Sequence, residues 1–149
     1  MRRFGLIVCV LALTSCTETT APVDDLSAIQ VRVRAAPEDI LVQELTTITV
    51  TLTNTKPWRV QISECPIYFS VKDPAGTVVG GSDVVGCFGF TREQLVYAPL
   101  EFGGLETKTF VFDWFVPQSV PAGEYNLFGW ANTPDHASPA VPITVSAAN

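Results

Sequence analysis

Histidine is almost missing from this chain: one, His136, stands among 149 residues. Any serine or cysteine triad would have to run through it. It sits in a Pro-rich loop over residues 132–139 with no nucleophile motif beside it, so it reads as a solvated loop residue. A His-rich zinc pattern and a Gly-rich phosphate loop are also lacking. Base is scarce as well, with nine Lys and Arg against fifteen Asp and Glu. That balance argues against nucleic acid and against electrostatic binding to anionic lipid. The acidic pairs Asp24-Asp25 and Glu38-Asp39 fall in a linker and near a turn. They read as solvated, whereas a glycosidase pair must flank a cleft at fixed separation. These absences predict a protein that is no enzyme, holds no metal or cofactor and binds no nucleic acid.

Long apolar runs are lacking too. The longest lies in residues 4–13, about half of the roughly 20 residues that a membrane span needs. It follows Arg2 and Arg3 and leads into Leu13-Thr14-Ser15-Cys16. A basic start, a short apolar stretch and small residues describe a secretory signal peptide. A Cys just after the cut, with Leu three positions before it, looks like a bacterial lipobox. The expectation is a signal peptide over residues 1–15 and a Cys16 carrying diacylglycerol on sulfur, with palmitate or a similar chain on its freed amine. Each buried methylene contributes about 0.8 kcal/mol, so two or three chains hold a protein stably on a membrane. Thr17 leaves outer-membrane sorting open if the source has two membranes. Removing residues 1–15 takes Arg2 and Arg3 and no acid, so the formal charge becomes 7 − 15 = −8. Attachment would then rest on lipid, not on a basic patch. Residues 16–27 lack apolar periodicity and read as the lipidated Cys and a flexible tether.

Four cysteines are few enough to sort by position. Cys9 falls in the signal segment and Cys16 at its end. Cys65 and Cys87 remain, an even pair in an oxidising compartment, and read as one disulfide. A metal site would need more ligands, and a redox pair would normally be Cys-x-x-Cys. Closing that loop would stabilise the fold by roughly 3 kcal/mol on the chain-entropy model.

Helical periodicity is missing as well; the best candidate, residues 37–45, is a single turn at most. Period-two alternation runs nearly everywhere instead. Ile29, Val31 and Val33 alternate with Gln30, Arg32 and Arg34, and Ile48, Val50 and Leu52 with Thr47, Thr49, Thr51 and Thr53. These are half-buried strands. A third strand is expected to begin at Trp58, with Val60 and Ile62 on the same face. Further strands are expected over residues 67–72, 77–79, 95–101, 107–116, 124–131 and 141–146. Asp73-Pro74-Ala75-Gly76 marks a hairpin turn. The fold this pattern predicts is an all-β, immunoglobulin-like antiparallel sandwich of Greek-key topology over residues 28–149. Pro121-Ala122-Gly123-Glu124-Tyr125 resembles a tyrosine corner, in which the Tyr125 hydroxyl bonds to upstream backbone. Leu127, not Cys, follows two residues later, so the disulfide is not that of antibody domains.

Residues 48–130 resemble the BsuPI domain, first described as an intracellular proteinase inhibitor of a Bacillus. The similarity lies in Asn54-Thr55-Lys56-Pro57, in Tyr68-Phe69-Ser70-Val71-Lys72-Asp73-Pro74-Ala75-Gly76 and in Val78-Val79. It continues through Phe88 and Phe90 to Thr109-Phe110-Val111-Phe112-Asp113-Trp114 and the Tyr125 segment. The resemblance implies an immunoglobulin-like sandwich and proteinase inhibition, with no reactive-site residue carried over. Loops 54–58 and 132–139 are the candidate inhibitory loops. Phe88 and Phe90, in Gly86-Cys87-Phe88-Gly89-Phe90, either plug the end of the sandwich or form the candidate contact loop, tied down by the disulfide. The expected function is that of an exported, lipid-anchored envelope protein with a non-catalytic interaction domain. The alternative is an inhibitor of an extracytoplasmic protease. The expected partners are the membrane, through the lipid, and an envelope protein or protease.

Overall fold

The computed structural model describes residues 21–62, 66–82, 85–86, 88–91, 94–97, 99–131 and 135–147. Alternation translates directly into strands. β2 (Ile29–Ala36) buries every second residue. It pairs antiparallel with β4 (Leu45–Asn54), which pairs on its other side with β12 (Thr107–Phe115). β6 (Pro66–Lys72), β7 (Val78–Gly81), β13 (Gly123–Ala131) and β14 (Val141–Ser146) belong to the facing sheet, in the order β14-β13-β6-β7. β3 (Asp39–Leu41) extends that sheet in parallel on β14, and β8 (Val85–Gly86) also pairs with β6. The chain thus crosses between sheets after β4, returns for β12 and crosses again into β13. This is an all-β sandwich with Greek-key connections.

The core lies between the two sheets. Val31, Val33, Ile48, Val50 and Leu52 from one side meet Ile67, Phe69, Val71, Leu127 and Ile143 from the other. Phe69 and Phe112 meet edge to face, 5.6 Å between ring centroids. Gly129 has a packing reason: a Cβ there would stand 3.0 Å from Val33 and 3.2 Å from Val50. Trp114 is buried, with its indole lying against Gly80.

Four expectations need correction. Residues 37–45 form no helix. Pro37 follows β2, β3 comes next, and a turn through Gln43 leads into β4. Residues 95–101 do not make one strand. They split between β10 (Gln94–Tyr97) and β11 (Leu100–Phe102), which join different sheets. Trp58 does not begin the third strand, since β5 (Val60–Ile62) starts two residues later and Trp58 is exposed. The tether does not reach residue 27. β1 (Val23–Asp24) pairs in parallel with β5, and Leu26–Ala28 forms a 3-10 turn capped by the Asp25 carboxylate. β5 carries β11 on its other side, so β1, β5 and β11 form a small sheet at the end of the sandwich where the N-terminal segment enters.

Candidate interaction surface

The two sheets turn different chemistry outward. Registers 53–107, 51–109 and 47–113 put threonines, with Asp113, on the outer face of β4 and β12, and β2 adds Arg32 and Arg34. The same face also carries Val111 opposite Thr49 and the exposed Leu45–Phe115 pair, so it is mixed polar and apolar. On the other sheet, register pairs Trp130 with Tyr68, Phe128 with Ser70 and Asn126 with Lys72. Their inward neighbours Ile67, Phe69, Val71 and Leu127 fill the core, so by strand alternation these six point away from it.

The outward set forms one assembly. Tyr68 and Trp130 stack with ring centroids 5.8 Å apart and planes 11° apart. Phe128 tilts against Trp130 at 5.8 Å, with planes 36° apart. The Lys72 ammonium lies 5.3 Å from the Phe128 centroid and 5.2 Å from that of Trp130, within cation–π range. Trp130 Nε1 donates to Ser70 Oγ at 2.8 Å. Trp130 is 8% exposed, and Tyr68, Phe128 and Lys72 are half-buried around it. Burial pushes the Tyr68 phenol above its ordinary value, so it stays a neutral hydrogen-bonding group at neutral pH. The arrangement offers a rigid apolar platform, one positive charge and one phenol.

A hairpin carries the expected contact residues. β9 (Phe88–Thr91) pairs antiparallel with β10, placing Phe88 opposite Tyr97 and Phe90 opposite Leu95. A two-stranded ribbon is marginal in water without a surface to pack on. β8, just before it, pairs Pro66 with Gly86 and Ile67 with Val85. Cys65 and Cys87 flank that first pair in sequence; like Cys16, they lie outside the described residues.

Tyr125 donates from its hydroxyl to the Pro121 carbonyl at 2.7 Å, the upstream-backbone bond of a tyrosine corner. Burial and then the Asp73 carboxylate raise its pKa. His136 is only partly exposed, not the free solvated loop residue that the sequence suggested. Its Nε2 lies 2.6 Å from the Ile29 carbonyl, and the ring is half-buried. Of the candidate inhibitory loops, 132–134 lie outside the described residues. Loop 54–58 is held by the buried Asn54, whose Nδ2 donates to Trp58 O at 2.7 Å and to Gly103 O at 2.8 Å. Asn54 Oδ1 accepts from Lys56 N at 2.9 Å. Among the described residues no three His, Cys, Asp or Glu gather as metal ligands, and no helix is long and apolar enough to cross a membrane.

Sequence reasoning missed the Tyr68–Phe128–Trp130–Lys72 assembly. The signal was present as alternate positions on two strands. Which strands pair, and in what register, was not.

No family model and no curated protein matches the chain. Solved structures resemble it in fold. The sporulation control protein Spo0M of Bacillus subtilis superposes with TM-score 0.58 at 12% identity, over 81% of this chain and 50% of that one. The Pseudomonas fluorescens alkylpurine DNA glycosylase AlkC, bound to DNA with an abasic-site analog, gives 0.52 at 11% identity, over 80% and 31%. The β-glucosidase EmGH1 of Erythrobacter marinus gives 0.50 at 14%, over 79% and 15%. The chain spans half or less of each of these proteins, and at such identities the likeness is one of fold alone.

Proposed function

We propose that this chain is an exported bacterial lipoprotein, anchored through Cys16, whose β-sandwich is a non-catalytic interaction domain for a protein of the cell envelope. The observation that carries the interaction reading is the outward assembly of Tyr68, Phe128 and Trp130 with Lys72. Aromatic side chains held rigid by stacking, by the Ser70 hydrogen bond and by an ammonium lose little entropy on binding. Aromatic anchors of this kind dominate protein interfaces. The Leu13-Thr14-Ser15-Cys16 motif supports the anchor. The Pro66–Gly86 register supports a Cys65–Cys87 disulfide, because antiparallel partners stand at a separation that a disulfide can span.

Proteinase inhibition is the narrower form of the same reading. It is supported by the BsuPI resemblance and by the rigidity that Asn54 gives loop 54–58. A panel of extracytoplasmic proteases tests it: no inhibition at micromolar folded protein removes it.

The interaction reading is tested by a photo-crosslinking residue at position 128 in cells, with position 109 on the threonine face as control. A defined envelope-protein adduct from 128 alone is the expected result. Equal adducts from both faces, or none, would overturn it. Cys16→Ser should release the protein from membranes or leave the precursor uncut.

A further inference from the structure

Three of the exposed large apolar residues gather at one end of the sandwich: Val23 at 54% exposure, Trp58 at 51% and Leu105 at 64%. They come from three segments tied to one another. Val23 N donates to Arg59 O at 3.4 Å, and Leu105 N to Lys56 O at 2.8 Å. Gly104 packs directly against the Pro57 carbonyl, so closely that a Cβ would not fit. Asn54 fixes both loops from beneath.

Leu105 is the most telling of the three. It occupies a turn closed by Glu106 N donating to Gly103 O at 3.2 Å, with φ of +60°. That backbone region suits glycine, and a γ-branched apolar residue is uncommon there. The turn is further pinned by Gly103 N donating to Glu106 Oε2 at 2.5 Å. A side chain that water does not favour is thus held outward by a conformation its own backbone does not favour. Such positions persist where surrounding structure enforces them, and they concentrate at functional sites.

The same end is where the N-terminal segment enters. From Cys16 to Val23 is seven residues of chain, at most about 25 Å when extended and about 15 Å on average as a flexible coil. We propose that the Val23–Trp58–Leu105 end docks on the bilayer interface and fixes how the domain stands on the membrane. This rests on the lipid-anchor reading. Trp prefers the headgroup boundary, where its ring is half apolar and half wet. Lys56, 5.9 Å from the Trp58 ring, reaches headgroups from the same edge. The remaining cations there are paired: Arg59 with Glu101 at 2.6 Å and Lys108 with Glu106 at 3.0 Å. Asp24 and Asp25 add negative charge. The contact is therefore apolar and interfacial, and does not need anionic lipid. A short tether raises the effective concentration of the surface at the interface, so a weak intrinsic contact is populated. The aromatic Tyr68–Trp130 assembly, on the outer face of the larger sheet, would remain available to a partner.

The test uses the acylated protein isolated from membranes and placed in phosphatidylcholine vesicles with plain or chain-brominated lipid. Vesicles of either lipid should blue-shift part of the tryptophan emission, and bromolipid should quench that part. Trp58→Phe should abolish that quenching, because Trp114 and Trp130 are buried. Leu105→Ser, which keeps Trp58, should reduce it. Quenching that survives Trp58→Phe, or no quenching in acylated protein that floats with vesicles, would overturn the proposal. So would concentration-dependent crosslinking of Trp58 to a second copy in place of lipid quenching. Mass spectrometry of the N-terminal peptide separates the two readings. An acylated Cys16 with unquenched Trp58 defeats only this proposal; an unmodified Cys16 defeats the anchor and this proposal with it.

Discussion

Asn54 and Gly103, separated by 49 positions in the chain, are joined by a hydrogen bond from Nδ2 to carbonyl oxygen, 2.8 Å long, in the interior of the domain. The same amide serves Trp58 O and Lys56 N, so one buried side chain satisfies three backbone groups in two loops. Asn54→Ala leaves Trp58 O and Lys56 N without their partner, while Gly103 O keeps its bond from Glu106 N. Each buried orphan costs about 1–3 kcal/mol, and partial access to water lowers the sum, so a loss of about 2–4 kcal/mol is expected. Asn54→Asp should cost at least as much, because it puts an anion against two carbonyl oxygens. Denaturant unfolding measures both. A shift below about 0.5 kcal/mol would mean that the loops hold without Asn54.

Tyr125→Phe removes the hydroxyl that reaches Pro121 O. A single neutral hydrogen bond contributes about 1 kcal/mol net, and a loss of that order is expected. The pH dependence carries a second signature. Burial, followed by the Asp73 carboxylate, raises the Tyr125 pKa in the folded state. The unfolded phenol releases its proton near pH 10 while the folded one still holds it. Stability is therefore full below that pH and falls as pH rises through the folded value. Tyr68 is raised by burial in the same direction. Tyr125→Phe should weaken, but not erase, the alkaline loss, and unfolding midpoints between about pH 8 and 11 would show it.

The strands were legible because alternation is a local property. Ile29–Ala36 and Leu45–Asn54 bury their alternate apolar residues as the pattern dictates. Tyr125 was legible because the corner is made within four residues of chain. What failed was set by distant partners. Val23–Asp24 looks like tether until β5 offers it a strand to pair with. Residues 37–45 have a faint helical look, but Asp39–Leu41 lies beside β14 and takes extended geometry from it. His136 reads as solvent-facing until β2 brings the Ile29 carbonyl to its ring. The aromatic assembly needs the 130–68 register, which no local rule supplies.

That register makes a further separation possible. Ser70→Ala removes the acceptor of the buried Trp130 N–H. It should destabilise the domain by about 1–2 kcal/mol and loosen the aromatic platform. Lys72→Ala leaves the Trp130–Ser70 bond intact and removes an ammonium that is only half-buried, so its effect on folding should stay near 0.5–1 kcal/mol. If the platform binds a partner, crosslinking from position 128 should fall in both variants. Loss in Ser70→Ala alone would mean that the rings matter and the charge does not.

Leu105 allows stability and membrane contact to be driven apart. A left-handed backbone costs a non-glycine residue roughly 1–2 kcal/mol. Glycine escapes that cost but gives up about 0.5–1 kcal/mol in chain entropy. Leu105→Gly should therefore leave the unfolding midpoint unchanged or raise it slightly, because the side chain is 64% exposed and its loss opens no cavity. The same change removes an apolar contact from the end of the domain that carries Trp58, and bromolipid quenching of acylated protein should fall. A residue that packs for the fold would show the reverse: a lower midpoint with unchanged quenching. Thermal unfolding and quenching on one preparation decide between a turn shaped for the fold and a turn that holds a leucine out for lipid.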